Sequence, residues 1–407
     1  MLSHLLRLLT ISTIIGIQVI GFSGCNSGDS DNNSTPSTVT TTAVTTSYSW
    51  DIPTGLPTPR VPDENPMSEV KVELGRQLFY DTRISANNTF SCGTCHQPAK
   101  GFADGLVTPE GSTGEVHPRN SMGLTNAAYN SILTWANPNL KTLFSQALVP
   151  MLGESPVELG WSGHEEEILD RFRYDAVYSD LFEQAFPTDS ITELTVAKAI
   201  AAFVRTLISG NSPTDKSVYQ NDTTEMSESA KRGRSLFFSE RLECFHCHGG
   251  FNFSQSTTHD GSVFEEIEFH NNGLYNIDGT GAYPLNNRGL WEFTFEPEDM
   301  GRFRAPTLRN IELTAPYMHD GSIATLEEVI DHYARGGRLI TEGPLAGDGA
   351  KNPFKSELFV GFTITDEEKT DIINFLNSLT DWSFICDERF SDPFGNLLPH
   401  TNCLNVK

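Results

Sequence analysis

Cys92-Gly93-Thr94-Cys95-His96 and Cys244-Phe245-His246-Cys247-His248 decide how this 407-residue chain is read. Each places two thiols and then a histidine in the order that covalent haem requires. The thiols form thioethers to the haem vinyl groups, and the histidine comes to lie under the iron. The surroundings repeat as well. Gly75-Arg76-Gln77-Leu78-Phe79 precedes the first motif and Gly233-Arg234-Ser235-Leu236-Phe237 the second, with Arg83 and Arg241 in between. Duplication of one haem-binding unit explains the pattern. It predicts two haem c groups, held by Cys92, Cys95 and His96 and by Cys244, Cys247 and His248. A zinc site built from both C-x-x-C pairs is the competing reading. The histidine after each pair argues against it. A thioredoxin-like redox pair lacks its βαβ surroundings. His246, inside the second motif, reads as a solvent-side or propionate neighbour rather than a ligand.

Outward from these motifs the chain reads as helices joined by long loops. Leu194, Ala197, Ile200, Phe203, Val204 and Leu207 form a helical stripe within 192–209. Thr325-Leu326-Glu327-Glu328 is a capping box whose helix ends before Gly336-Gly337, and Thr365-Asp366-Glu367-Glu368 opens another running to about Leu379. Loops over 97–124 and 249–290 are long, as is common where a large cofactor replaces side-chain core. The expected fold is mainly α, with two c-type cytochrome domains and little β. Residues 61–225 form the N-terminal haem domain, 226–385 the C-terminal one, and 386–407 a tail.

The formal charge is −25, from 28 basic and 53 acidic side chains. Such a chain is a poor match for nucleic acid or an anionic membrane surface. No Rossmann fingerprint, P-loop, nucleophile elbow or H-E-x-x-H helix supports a nucleotide or hydrolase reading. Residues 1–24 read as an export signal, with Arg7 before an apolar run from Leu8 to Phe22 that is short for a bilayer span. Phe22-Ser23-Gly24-Cys25 resembles a lipobox, with Phe22 departing from the usual leucine. It predicts lipidation of Cys25 and membrane contact through that anchor, in the periplasm or at the outer membrane of a Gram-negative bacterium. Residues 25–60, rich in Ser, Thr, Asn, Asp and Pro, read as a disordered tether. In an oxidising compartment Cys386 and Cys403 read as a disulfide that pins the tail onto the C-terminal domain.

Several further stretches resemble the bacterial di-haem cytochrome c peroxidase and MauG superfamily over nearly all of residues 67–385. They are Arg119-Asn120 leading to Asn126-Ala127, Pro156-Val157-Glu158-Leu159-Gly160, Phe269-His270-Asn271-Asn272-Gly273-Leu274, Phe303-Arg304-Ala305-Pro306-Thr307-Leu308-Arg309-Asn310 and Thr314-Ala315-Pro316-Tyr317-Met318-His319-Asp320-Gly321. Leu133-Thr134-Trp135-Ala136-Asn137-Pro138 and the run from Glu243 to Ser254 are most similar to the MbnH-type branch. That resemblance implies a peroxide-dependent oxidase acting on a protein partner, with tryptophan converted to kynurenine on an MbnP-like protein through a high-valent di-haem state. The alternative within the superfamily is a di-haem cytochrome c peroxidase. It reduces hydrogen peroxide with electrons from a small donor protein.

The resemblance also assigns residues. The position where ordinary di-haem peroxidases carry a methionine ligand is Tyr333 here, as in MauG-like enzymes. Tyr333 is therefore the expected distal ligand of the C-terminal haem and, with His96, a catalytic residue. His332 is the neighbouring alternative, but adjacent helical residues point about 100° apart, so only one faces the iron. Met318 reads as core packing, and His319 and His270 as buried hydrogen-bonding residues. His96 is expected to be the sole protein ligand of the N-terminal haem, with His117 on a surface loop. Gln146 or Glu154 is the expected acid–base group there. Trp135 and Trp291 are candidates for electron hopping, with core packing the competing role. A calcium ion between the haem domains is implied by the resemblance, with carbonyls near Pro306 as possible contributors.

Overall fold

The computed structural model describes residues 48–265 and 267–405. The expected leader, Cys25 and tether residues 25–47 lie outside the described residues.

Helices dominate, and the main ones start where the sequence supplies a cap. Ser68 accepts from the Lys71 amide at the start of the Glu69–Tyr80 helix. Thr192 and Thr195 close a capping box on Glu193–Arg205. Thr325 with Glu328 and Thr365 with Glu368 do the same for Leu326–Arg335 and Asp366–Asn377. Gly336, at φ 74°, ends the Leu326–Arg335 helix in the left-handed conformation that glycine adopts without strain. Among the described residues the only sheet is a two-residue pairing of Leu339–Ile340 with Gly347–Asp348.

Two apolar cores form around matching helix pairs. In the first, Glu69–Tyr80 lies against Glu193–Arg205, burying Leu74, Leu78, Phe79 and Phe203. In the second, Glu228–Phe237 lies against Asp366–Asn377, burying Phe237, Ile372, Phe375 and Leu376. The repeated glycine explains why these pairs cross so closely. A Cβ on Gly75 would lie 1.9 Å from the Ala199 carbonyl oxygen, and one on Gly233 would lie 1.9 Å from that of Asp371. Backbone sits against backbone at both crossings, so no side chain fits. Gly233→Ala should therefore cost about 1–3 kcal/mol through overpacking. At an open helix site the same change would stabilise. A lowered Tm in thermal unfolding of the holoprotein is the expected result.

The structure corrects two sequence expectations. Residues 48–60 are not a free tether. Leu56 is buried, the Tyr129 hydroxyl donates to the Pro57 carbonyl at 2.6 Å, and the Ser49 amide donates to Glu69. Arg60 pairs with Glu265 at 2.6 Å and donates to the Ser262 carbonyl. Composition averaged over 25–60 hides the apolar and carbonyl anchors concentrated at its end.

The tail does not pin to the second core. Cys386 and Cys403 are bonded, but Phe384, Ile385 and Phe390 belong to the first core. The Tyr80 hydroxyl donates to the Phe390 carbonyl at 2.6 Å, and Arg76 donates to that of Ser391. The chain thus returns to the half in which it began. The disulfide closes a loop with a sequence separation of 17, and such a loop contributes about 3 kcal/mol through chain entropy. Cys386→Ser with Cys403→Ser should lower Tm in calorimetry while leaving haem attachment intact.

Candidate active site

Both C-x-x-C-H motifs fold into one short helical turn, Cys92–Cys95 and Phe245–His248. None of the four motif cysteines is in a disulfide, so each is available for a thioether bond. Among the described residues neither pair joins a cluster of metal-ligating side chains, which removes the shared zinc site.

The two histidines are held by the same device. His96 Nδ1 meets the Phe102 carbonyl at 2.8 Å, and His248 Nδ1 meets that of Phe253 at 3.1 Å. Each carbonyl is aimed by a phenylalanine in the left-handed region, at φ 62° and 47°. A bulky side chain held there carries strain on the order of 1–3 kcal/mol, and such strain concentrates at functional sites. Fixing Nδ1 in this way leaves Nε2 as the ligand atom. Burial lowers the pKa of both rings, that of His248 to about 4, so both are neutral and fit to bind metal.

Beside the second motif lies a cavity lined by Cys244, Cys247, His248, Met318, His319 and Tyr333. Tyr333 enters it, and burial pushes its phenol up to about 12. His332, one residue earlier, is not part of the wall and is buried elsewhere among Arg335, Arg338 and Lys355. Met318 also lines the cavity, where its sulfur accepts from Asn272 at 3.4 Å. His270 reaches Gln255 at 3.2 Å, and His319 stacks on Phe303 with ring centres 3.6 Å apart. His246 stays outside the cavity, partly exposed.

Arg304 tests whether haem suits this place. Its guanidinium is buried, at 2% exposure, yet meets only neutral acceptors. These are the carbonyls of Thr134 and Ala305 and, at 3.8 Å, the Met122 sulfur. Burial lowers its pKa to about 10. A buried cation without an anion is costly. The carboxylates of haem propionates are the groups that would offset that cost, so the residues present fit haem.

Glu158 falls where sequence reasoning did not put it. Its charge acts on both Cys92 and Cys95, and its carboxylate lies 3.7 Å from His117 Nε2. Burial raises it to about 7. The expected Glu154 is instead an exposed residue bound by the Ser162 hydroxyl. His117 lies on a loop, as expected, partly exposed and beside Glu158. Gln146 Oε1 is buried without a hydrogen-bond partner. Trp135, named above as a hopping candidate, lines both the main cavity and a smaller neighbouring one bounded by Gly101, Met122 and Thr125. Its indole donates to the Asn120 carbonyl at 2.9 Å. Trp291 has the Arg288 guanidinium 4.1 Å above its ring. That contact disfavours a positive charge on the indole.

Comparisons with known proteins place the chain in a family. The family model described as di-haem cytochrome c peroxidase matches residues 69–224. Cytochrome-c peroxidase IdrP1 of Pseudomonas sp. (strain SCT) is 33% identical over 338 residues, covering 80% of this chain and 84% of that protein. This chain belongs to the di-haem cytochrome c peroxidase and MauG family. Methylamine utilization protein MauG of Methylorubrum extorquens is 30% identical, covering 78% of this chain and 80% of that protein. A solved MauG-like protein associated with microbial copper homeostasis superposes with a TM-score of 0.83 at 48% identity, covering 86% of this chain and all of that one. The enzyme is therefore a di-haem oxidoreductase whose family implies two haem c groups.

Proposed function

We propose that this enzyme uses hydrogen peroxide to oxidise a protein partner, converting a tryptophan to kynurenine on an MbnP-like protein. The observation that carries this reading is Tyr333, at the position where ordinary di-haem peroxidases carry methionine, entering the cavity shared with Cys244, Cys247 and His248. A tyrosinate ligand favours the more oxidised states of its iron. Bound haem supplies the redox chemistry with peroxide.

The chain's own residues do the rest. His96 and His248 offer Nε2 as proximal ligands, and Tyr333 offers its phenolic oxygen. Glu158, poised near neutrality, takes a proton from peroxide and returns it to the departing oxygen. His117 Nε2 lies 3.7 Å from that carboxyl. Trp135 passes electrons between the two halves, 61–225 and 226–385, so the partner is oxidised without entering either cavity. The reading includes a calcium ion between these halves, export by residues 1–24, and a lipid anchor on Cys25 in the periplasm or at the outer membrane. Among the described residues no helix is long and apolar enough to cross a membrane.

Peroxide added to the diferric protein, followed by near-infrared absorption, tests the reading. A long-lived change without prior reduction is expected. A reaction that requires one-electron reduction first would overturn it. That result would favour a cytochrome c peroxidase fed by a small donor protein, the second reading. The name carried by the IdrP1 relative supports that reading, and it predicts fast peroxide turnover with a reduced small cytochrome.

A further inference from the structure

A buried chain of aromatic rings leads away from the main cavity and ends on a carboxylate. Phe303 and His319 line the cavity and stack on each other. The Tyr283 ring centre lies 6.4 Å from that of Phe303 and 6.3 Å from that of His319. Tyr275 lies 5.4 Å further on, edge to face with Tyr283. Both tyrosines are almost fully buried, at 3% and 5% exposure.

Their hydroxyls differ in partner. Tyr283 donates to the amide oxygen of Asn271 at 2.8 Å, a group that takes no proton. Tyr275 donates to Asp320 Oδ2 at 2.6 Å. Burial works against ionisation of Asp320. Even so, His319 beside it and the hydrogen bonds from Tyr275 and Ser322 hold it below the ordinary carboxylate range. A phenol gives up an electron far more readily when a base accepts its proton in the same event. Tyr275 is the member of the chain with such a base.

We propose that Tyr275, paired with Asp320, is a proton-coupled oxidation station that stores one oxidising equivalent from peroxide when no protein partner is docked. This rests on the proposed peroxide chemistry. Tyr275 loses one electron along Tyr283 and the Phe303–His319 stack to the peroxide-oxidised centre, which is reduced by one equivalent. The phenolic O–H bond breaks and its proton moves to Asp320 Oδ2. The products are a neutral tyrosyl radical and a carboxylic acid. An electron from a docked partner reverses both transfers. Burial keeps the radical from cross-linking to another protein. Trp135 donates to a backbone carbonyl, which accepts no proton, so it passes charge without storing it.

Freeze-quenched electron paramagnetic resonance after peroxide addition to the holoprotein reads this directly, with the haem absorption followed in the same samples. The parent should show a tyrosyl signal that narrows when ring-deuterated tyrosine is incorporated. A nitroso spin trap should leave its adduct on Tyr275 in peptide mass mapping of the parent, which needs no variant. Tyr275→Phe, which removes one oxygen and keeps the packing, should abolish the signal, as should Asp320→Asn. A tyrosyl signal that persists in Tyr275→Phe, or an adduct mapped elsewhere, overturns the proposal. A haem band that responds to peroxide with no tyrosyl signal overturns it and leaves the proposed function standing. A band that does not respond overturns both.

Discussion

Glu158→Gln is expected to slow the reaction with peroxide by about 10²–10⁴-fold, the usual contribution of a positioned acid–base group. The side chain keeps its size and its place, so haem attachment and the resting spectrum should not change. The loss should appear in the second-order rate constant measured by stopped-flow absorption. The parent's pH profile provides the companion test. Burial raises the Glu158 carboxyl to about 7, so the fraction able to accept a proton grows as pH rises through that value. The rate should climb from pH 6 to pH 8 and flatten above. In Glu158→Gln that limb should vanish. His117, 3.7 Å away, has its pKa lowered by burial, and His117→Gln separates its titration from that of Glu158. A profile unchanged by the substitution would move the acid–base role to another group.

Why Glu158 escaped sequence reading is instructive. The haem-binding residues lie within five consecutive positions, so their geometry is carried by one helical turn and can be read directly. The repeated Gly75 and Gly233 were legible as a repeat, but not as contact points, because Ala199 and Asp371 are far away in sequence. Glu158 depends on two loops meeting. The Gly111 backbone presses on the Val157 carbonyl, where a Cβ would lie 1.8 Å from the oxygen, and the Ser112 amide donates to the Glu158 carbonyl at 2.7 Å. Counting along one strand of sequence cannot find such a meeting. Trp135 was legible as a hopping candidate, but its neighbours were not. Its place between two cavities follows from Asn120 and Arg304, whose amide donates to the Trp135 carbonyl at 2.8 Å. The motif residues Asn126, Arg309 and Asn310 turn out to be structural. Arg309 makes a buried two-point pair with Asp215, and Asn310 ties Thr125 and Ser209 together. A motif marks both kinds of residue alike, and only the contacts separate them. Helical geometry, by contrast, was legible at Tyr333. Adjacent residues on a helix diverge by about 100°, and the cavity accordingly takes Tyr333 and excludes His332.

Tyr333→Met should therefore have the second large effect. Methionine is long and flexible enough to reach into the same cavity, and its thioether favours the reduced iron where a tyrosinate favours the oxidised one. The reduction potential of the C-terminal haem should rise by on the order of tenths of a volt, within the range that axial ligands span. Spectroelectrochemical titration measures it. Two consequences follow. The variant should lose the long-lived change that peroxide produces in the diferric parent. It should instead react with peroxide only after one-electron reduction by a small donor. Tyr333→Phe separates the ligand from the shape. It keeps the ring stacked near Phe359, at 5.6 Å, and removes only the oxygen. If the oxygen is the ligand, Tyr333→Phe should open a coordination position detectable by carbon monoxide binding at both haems. If neither substitution moves the potential or the ligand-binding stoichiometry, Tyr333 is packing. The protein-oxidising reading would then lose the observation that carries it.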